Sequence, residues 1–258
     1  MRARAGALTV VLLFITSASL AQAISVQSGN LRISVFAQLK PYKLPRTETA
    51  PIAVSVAGHL QSVTGGVPPQ LQSMKIEVNR HGLLQSKGLP TCPPRKLIAS
   101  SSAKAREECP DALVGSGQFW AHIVLPDQGA YPTRGELLIF NGKQAGHPVL
   151  LAHIYTSNPF DSAFTITFSI KHLAKGRYGT ELRASLPEAL GSWGYVDRIK
   201  LNLKREYSAG GERRSYFNAS CPAPRGTPRT AFALARATLA FTEQSLTTTI
   251  VKSCGVKG

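Results

Sequence analysis

From Leu31 onward, apolar and polar residues alternate in short runs interrupted by Gly and Pro, the pattern of antiparallel strands with one buried face. The alternation predicts strands over Leu31–Gln38, Ile52–Leu60, Met74–Arg80, Gln118–Leu125, Glu136–Phe140, Val149–Tyr155, Ala163–Ile170, Gly179–Ser185, Val196–Arg205, Ser215–Cys221, Ala231–Phe241 and Leu246–Ser253. So many strands with so little helical pattern predict an all-β chain built as an antiparallel β-sandwich, or as two tandem or duplicated sandwiches. Asn141-Gly142, directly after Leu137-Leu138-Ile139-Phe140, predicts a tight hairpin turn. The exception to the strand pattern is Lys96 to Glu108. It is free of Gly and Pro and rich in Ala, Lys, Arg and Glu, which predicts a short helix, weakened by the serines at 100 to 102.

At the N-terminus the pattern changes. Arg2 and Arg4 precede a short apolar run from Leu8 to Ile15, and Ala21-Gln22-Ala23 has the small-x-small form of a signal peptidase site. Together they predict a secretory leader over residues 1–23. The apolar run is far shorter than the roughly 20 residues of a membrane-spanning helix, and no later stretch reaches that length, so no integral span is expected. Ile24 stands where a lipoprotein needs a cysteine. The mature chain, 24–258, reads as one β-sandwich domain. The alternative is two β subdomains split near 126–135, where Pro and Gly gather; the similar apolar and cationic spacing of Leu71–Arg80 and Val196–Arg205 suggests either a duplication or two convergent strands.

The four cysteines, Cys92, Cys109, Cys221 and Cys254, are an even number in an exported chain and predict two disulfides. Of three possible pairings the sequential one is preferred. Cys92 and Cys109 bracket the helical segment, and Cys221 and Cys254 lie near the ends of the last strand group. No two cysteines have zinc-knuckle spacing and no histidine lies near either pair in sequence, so neither a metal nor a cofactor is expected.

Several strings spread over most of the mature chain carry a family resemblance. They are Gly88-Leu89-Pro90-Thr91-Cys92, Cys109-Pro110-Asp111-Ala112-Leu113-Val114-Gly115-Ser116-Gly117, Phe140-Asn141-Gly142, Gly176-Arg177-Tyr178-Gly179-Thr180, and Ser215-Tyr216-Phe217-Asn218-Ala219-Ser220-Cys221-Pro222. With these strings the chain resembles a family of exported, four-cysteine, β-rich bacterial proteins of actinobacterial type that has no assigned function. The resemblance implies export, a β-rich fold and the four cysteines, and it implies no activity.

Charge adds the first hint of a partner. Thirty Lys and Arg against fourteen Asp and Glu give +16, or +14 without Arg2 and Arg4. This favours encounter with anionic surfaces such as envelope polymers or acidic polysaccharide. No block of five like charges appears, so specific nucleic-acid binding is not expected. On the strand from Val196 to Arg205, alternation sets Ile199, Leu201 and Leu203 on one face and Arg198, Lys200, Asn202 and Lys204 on the other, a row of cations about 6 to 7 Å apart. Trp120, Trp193 and Tyr195 are the aromatic residues placed to stack on a sugar, the last two in a glycine-rich loop.

Catalytic patterns are fragmentary. Ser101-Ser102-Ala103-Lys104 has Ser-x-x-Lys spacing without the partner elements that acyl transfer requires. Leu44-Pro45-Arg46-Thr47-Glu48 resembles a sortase signal in the wrong part of the chain and reads as a loop leading into a strand. His122 and His153, in matching Ala-His-Ile strings, would approach one another in a three-stranded meander, with no third metal ligand and no nucleophile indicated. Asn218-Ala219-Ser220 fits the glycosylation sequon but abuts Cys221 within a predicted strand. The expectation is therefore a non-enzymatic structural or binding protein, secreted or held at the cell envelope. A carbohydrate- or polyanion-binding module is the alternative, and a secreted hydrolase stands well behind both.

Overall fold

The computed structural model describes residues 23–98, 100–124, 127, 129–186 and 194–257. The leader expected over 1–23 lies outside the described residues except for Ala23. In chain order the strands are β1 (Ile24–Ser28), β2 (Leu31–Lys40), β3 (Lys43–Leu44), β4 (Ala50–Pro51), β5 (Ala53–Ser62), β6 (Leu71–Asn79), β7 (Gly82–Leu84), β8 (Leu113–Ile123) and β9 (Tyr131–Gln144). They continue with β10 (His147–Thr156), β11 (Ser162–His172), β12 (Tyr178–Ser185), β13 (Gly194–Leu203), β14 (Glu206–Ala209), β15 (Glu212–Ser215), β16 (Phe217–Ala219), β17 (Arg229–Phe241) and β18 (Ser245–Val256). A single α-helix among the described residues, α1 (Ser102–Glu108), lies between Cys92 and Cys109. The class is all-β, as the alternation predicts.

Thirteen of these strands form one hydrogen-bonded series, β1-β2-β5-β13-β8-β9-β10-β11-β12-β6-β17-β18-β3, antiparallel throughout except where β3 joins β18. The sheet curls until its two ends meet. Leu31 and Ile33 of β2 pack with Phe241 and Leu246, and Lys252 of β18 lies 5.1 Å from the Phe36 ring of β2. The inward residues of the strands fill a shared core, with Phe119, Leu137, Ile139, Ile154, Ile166, Leu182, Leu234 and Ile250 all buried. The echoing segments are β6 and β13, with five strands between them in the sheet, and β8 and β9 are direct neighbours in it.

The two ends of this curled sheet differ. At the end where β6 stops and β5 starts, the small sheet β4-β16-β7 adds Tyr216, Phe217, Ile52, Leu89 and Ala223 to the core and closes it. The Cys221–Cys254 bridge ties this closing segment to β18. The second bridge, Cys92–Cys109, holds a cap on the outside of the sheet: Leu97, Ala105 and Ala112 cover Leu138, Phe140, Val149 and Leu151 of β9 and β10. Both pairings are the sequential ones.

Two local expectations are corrected. Asn141-Gly142 is no turn: both lie inside β9, and the hairpin turns at Ala145-Gly146, whose φ values of 48° and 83° suit a tight turn of this hand. The Asn141 side-chain amide donates to Pro90 O at 2.9 Å, and its backbone carbonyl accepts from Cys92 N at 2.8 Å, fastening the cap to the sheet. The helix spans seven residues rather than running from Lys96. Ser101 stops it on the N-terminal side by taking the N-cap role, its hydroxyl accepting from Lys104 N, so the weakening serines set the boundary.

Candidate functional site

The alternation on β13 is realised. Ile199, Leu201 and Leu203 face the core, and Arg198, Lys200 and Asn202 stand exposed on the outside. What alternation alone does not reveal is the neighbouring strands. Arg198 lies opposite Trp120 of β8 on one side and His59 of β5 on the other, while Arg134 of β9 lies opposite Trp120 on its far side. A row His59, Arg198, Trp120, Arg134 therefore crosses four strands at about 4.8 Å per step. The Arg198 guanidinium and the Lys200 ammonium each sit 5.6 Å from the centre of the Trp120 ring, a cation–π arrangement on a partly exposed indole.

One row nearer the strand ends, His122 stands opposite Tyr195, and their rings stack with centroids 5.0 Å apart and planes 20° from parallel. Between the two rows, β13 carries an irregularity in register at Asp197, an acid set among the cations. Burial, and then the Asp197 charge, pushes the Tyr195 hydroxyl pKa up, so this phenol stays neutral at ordinary pH. Glu136, the other acid on this face, is drawn to Arg106 of α1 at 3.6 Å.

The remaining expected residues fall elsewhere. Lys204 lies past the end of β13 and pairs with Glu206 at 3.5 Å, so it does not extend the row. Trp193 lies outside the described residues. His122 and His153 are not brought together. They stand opposite Pro132 and Leu138 of β9, six residues or about 20 Å apart along that strand. The Ser-x-x-Lys pattern is also taken apart, with Ser101 capping α1 and the Lys104 amine 4.0 Å from Glu108. In the sortase-like string Leu44 is fully buried and Arg46 donates to Ala223 O and Pro224 O, which makes it a structural clasp. Asn218 is buried with its amide donating to Ser215 O at 2.7 Å, so the sequon offers no acceptor to solvent.

Beside the stacked rings, at the end of the sheet opposite the closing segment, lies a cavity of about 410 Å³. Its lining comes from Phe119, Ala121 and Ile123 of β8, Ile154 of β10, Phe164 of β11 and Val196 of β13, with Phe160, Thr133, Thr156, Ser162, His122 and Tyr195 around them. Sequence reasoning missed this cavity, together with Arg134 and His59. Their polar positions were visible in the alternation; the strand order that unites them was not. Among the described residues no group of three or more His, Cys, Asp or Glu is placed to hold a metal ion, and no helix is long and apolar enough to cross a membrane.

No protein-family model, no curated protein and no solved structure matches this chain.

Proposed function

We propose that this chain is an exported, non-enzymatic binding protein that holds anionic glycan polymer of the cell envelope on the outer face around Trp120. The observation that carries the reading is the indole flanked by cations: Arg198 and Lys200 at 5.6 Å from its ring centre, and the exposed Arg134 opposite it on the next strand. Fixed cations one strand apart match a charged linear polymer, and an aromatic plane among them suits a sugar face. Two disulfides suit an oxidising compartment, in keeping with a leader over 1–23 and residence outside the cytoplasm.

The test is retention of the mature protein on immobilised acidic polysaccharide. Binding is expected at low ionic strength and should weaken steeply as the screening length shortens to about 8 Å near physiological salt. The triple change Arg134→Gln, Arg198→Gln, Lys200→Gln should abolish most of it, and Trp120→Ala should weaken it at every salt concentration. No retention at low salt, or full retention by the triple variant, would remove the reading.

A further inference from the structure

In the cavity beside the stacked rings the two lining threonines are already hydrogen-bonded. Thr133 and Thr156 place their hydroxyls 2.8 Å apart, Thr156 donates to Arg134 O at 3.0 Å, and both also reach Asn158 O. The apolar part of the wall includes Phe119, Ala121, Ile123, Ile154, Phe164 and Val196. Such a wall offers water few partners, and apolar cavities of this kind take apolar guests. Its volume of about 410 Å³ lies in the usual range for small-molecule sites, roughly 300–1,000 Å³.

The shape follows from the strand geometry. Phe119, Ala121 and Ile123 are successive inward positions of one strand, so the lining runs about 13 Å along β8. That length suits an extended acyl chain.

The surroundings agree. Phe160 and Tyr131, 47% and 42% exposed, stand at this end of the molecule, and so do the exposed Val63 and Val67. The described connecting residues at this end, 29–30, 63–70, 124, 127, 129–130, 157–161, 186 and 242–244, include none of the chain's thirty lysines and arginines. Cations gather instead at the opposite end, among them Lys43, Arg46, Arg80, Lys175, Arg177 and Arg225.

We propose that the cavity binds a single saturated hydrocarbon chain, that of a fatty acid or monoacyl lipid, with its polar end at His122 and Tyr195. This site is separate from the glycan reading, since neither Arg198 nor Lys200 lines it.

The experiment titrates the mature protein with hexanoate, octanoate, decanoate, dodecanoate and tetradecanoate, each below its micelle concentration. Affinity should rise about fourfold per methylene, equivalent to about 0.8 kcal/mol each, and then stop rising once the slot is full. A rise that continues through the whole series would mean adsorption on exposed apolar loops and would overturn the proposal. Ala121→Phe fills the slot and should abolish binding with the fold intact by circular dichroism; undiminished binding would also overturn it. Should that variant fail to fold, methyl resonances of the unmodified protein decide. Those of Ile154 and Val196 should shift on binding while those of Val63 and Val67 stay near their free positions, and the reverse pattern counts against the site. A parallel arm offers the chain as lysophosphatidylglycerol in solution and as phosphatidylglycerol vesicles. Uptake from vesicles identifies the bilayer as a source, uptake from solution alone identifies the free amphiphile, and uptake from no form of chain sinks the proposal.

Discussion

His153 sits fully buried on β10 beneath the α1 cap, and among the described residues neither ring nitrogen has a hydrogen-bond partner. The Ser100 backbone is its nearest polar help, and the Glu136 carboxylate favours the charged form from a distance. Burial outweighs both and holds the imidazole pKa below its ordinary value of 6.5. The sign of the linkage follows: below about pH 6.5 the unfolded chain takes up a proton that the folded chain refuses. Stability should therefore fall as pH drops from 6.5 toward the folded value and level off beneath it. His81, whose pKa is lowered mainly by burial and then by Arg80, adds to the same slope. Thermal unfolding followed between neutral and mildly acidic pH should show the decline, and His153→Leu should flatten part of it; an unchanged profile would show that His153 is not the titrating group. The Ala-His-Ile repeat made both histidines conspicuous in the sequence. Their different fates depend on the cap, which covers one and leaves the other at the strand ends, and on long-range pairing that no local pattern encodes.

At the level of elements, period-two alternation located most of the long strands because a curled sheet buries one face along nearly its whole length. It failed where that face is not the only constraint. Both faces of the second half of β9 are buried, one by the core and one by the cap, so Leu138 through Gly142 read as a short strand and a turn rather than as the middle of a long one. Short strands such as β3, β4 and β7 carry too few residues for any period to show. The curl has its own requirement at Gly117 of β8: a Cβ there would lie 1.9 Å from Lys200 O and 2.8 Å from Leu201 Cα. Backbone atoms cannot swing aside as a flexible side chain does, and glycine inside a strand marks such close approaches. Gly117→Ala should lower unfolding stability by about 1–3 kcal/mol in chemical denaturation, the range for overpacking a filled site. A change within a few tenths of a kcal/mol would mean that β8 and β13 can separate without penalty.

Across the whole molecule, two covalent ties act at different places. Cys92–Cys109 closes a short loop with a sequence separation of 17 and pins the cap; Cys221–Cys254, with a separation of 33, ties the closing segment to the last strand of the main sheet. On the chain-entropy model the first contributes about 3 kcal/mol and the second between about 3 and 4. Paired Cys→Ser replacements should show this ordering in denaturant midpoints. Loss of the cap bridge alone should also raise binding of an apolar dye, as Leu138, Phe140 and Leu151 become accessible, whereas an unaltered dye signal would show that the cap holds without its bridge. The pairing itself was readable from the order of the cysteines. The division of labour was not, because it depends on which surfaces the ties bring together.

The meeting of the sheet's two ends has a consequence for life among other proteins. Among the described residues β18 bonds β17 along one side and on the other only β3, over Gly255 and Val256, which leaves most of a twelve-residue edge without a described backbone partner. An edge of that length is a template on which a foreign strand can grow. Here it is screened from within: Leu31 and Ile33 pack with Leu246, Phe36 meets Lys252, and the turn at Gly29 lies close to Gln244. Side chains and one short leading strand, rather than hydrogen bonds, thus guard the chain against fibril-like self-addition, and the guard is only as durable as the seating of residues 24–36.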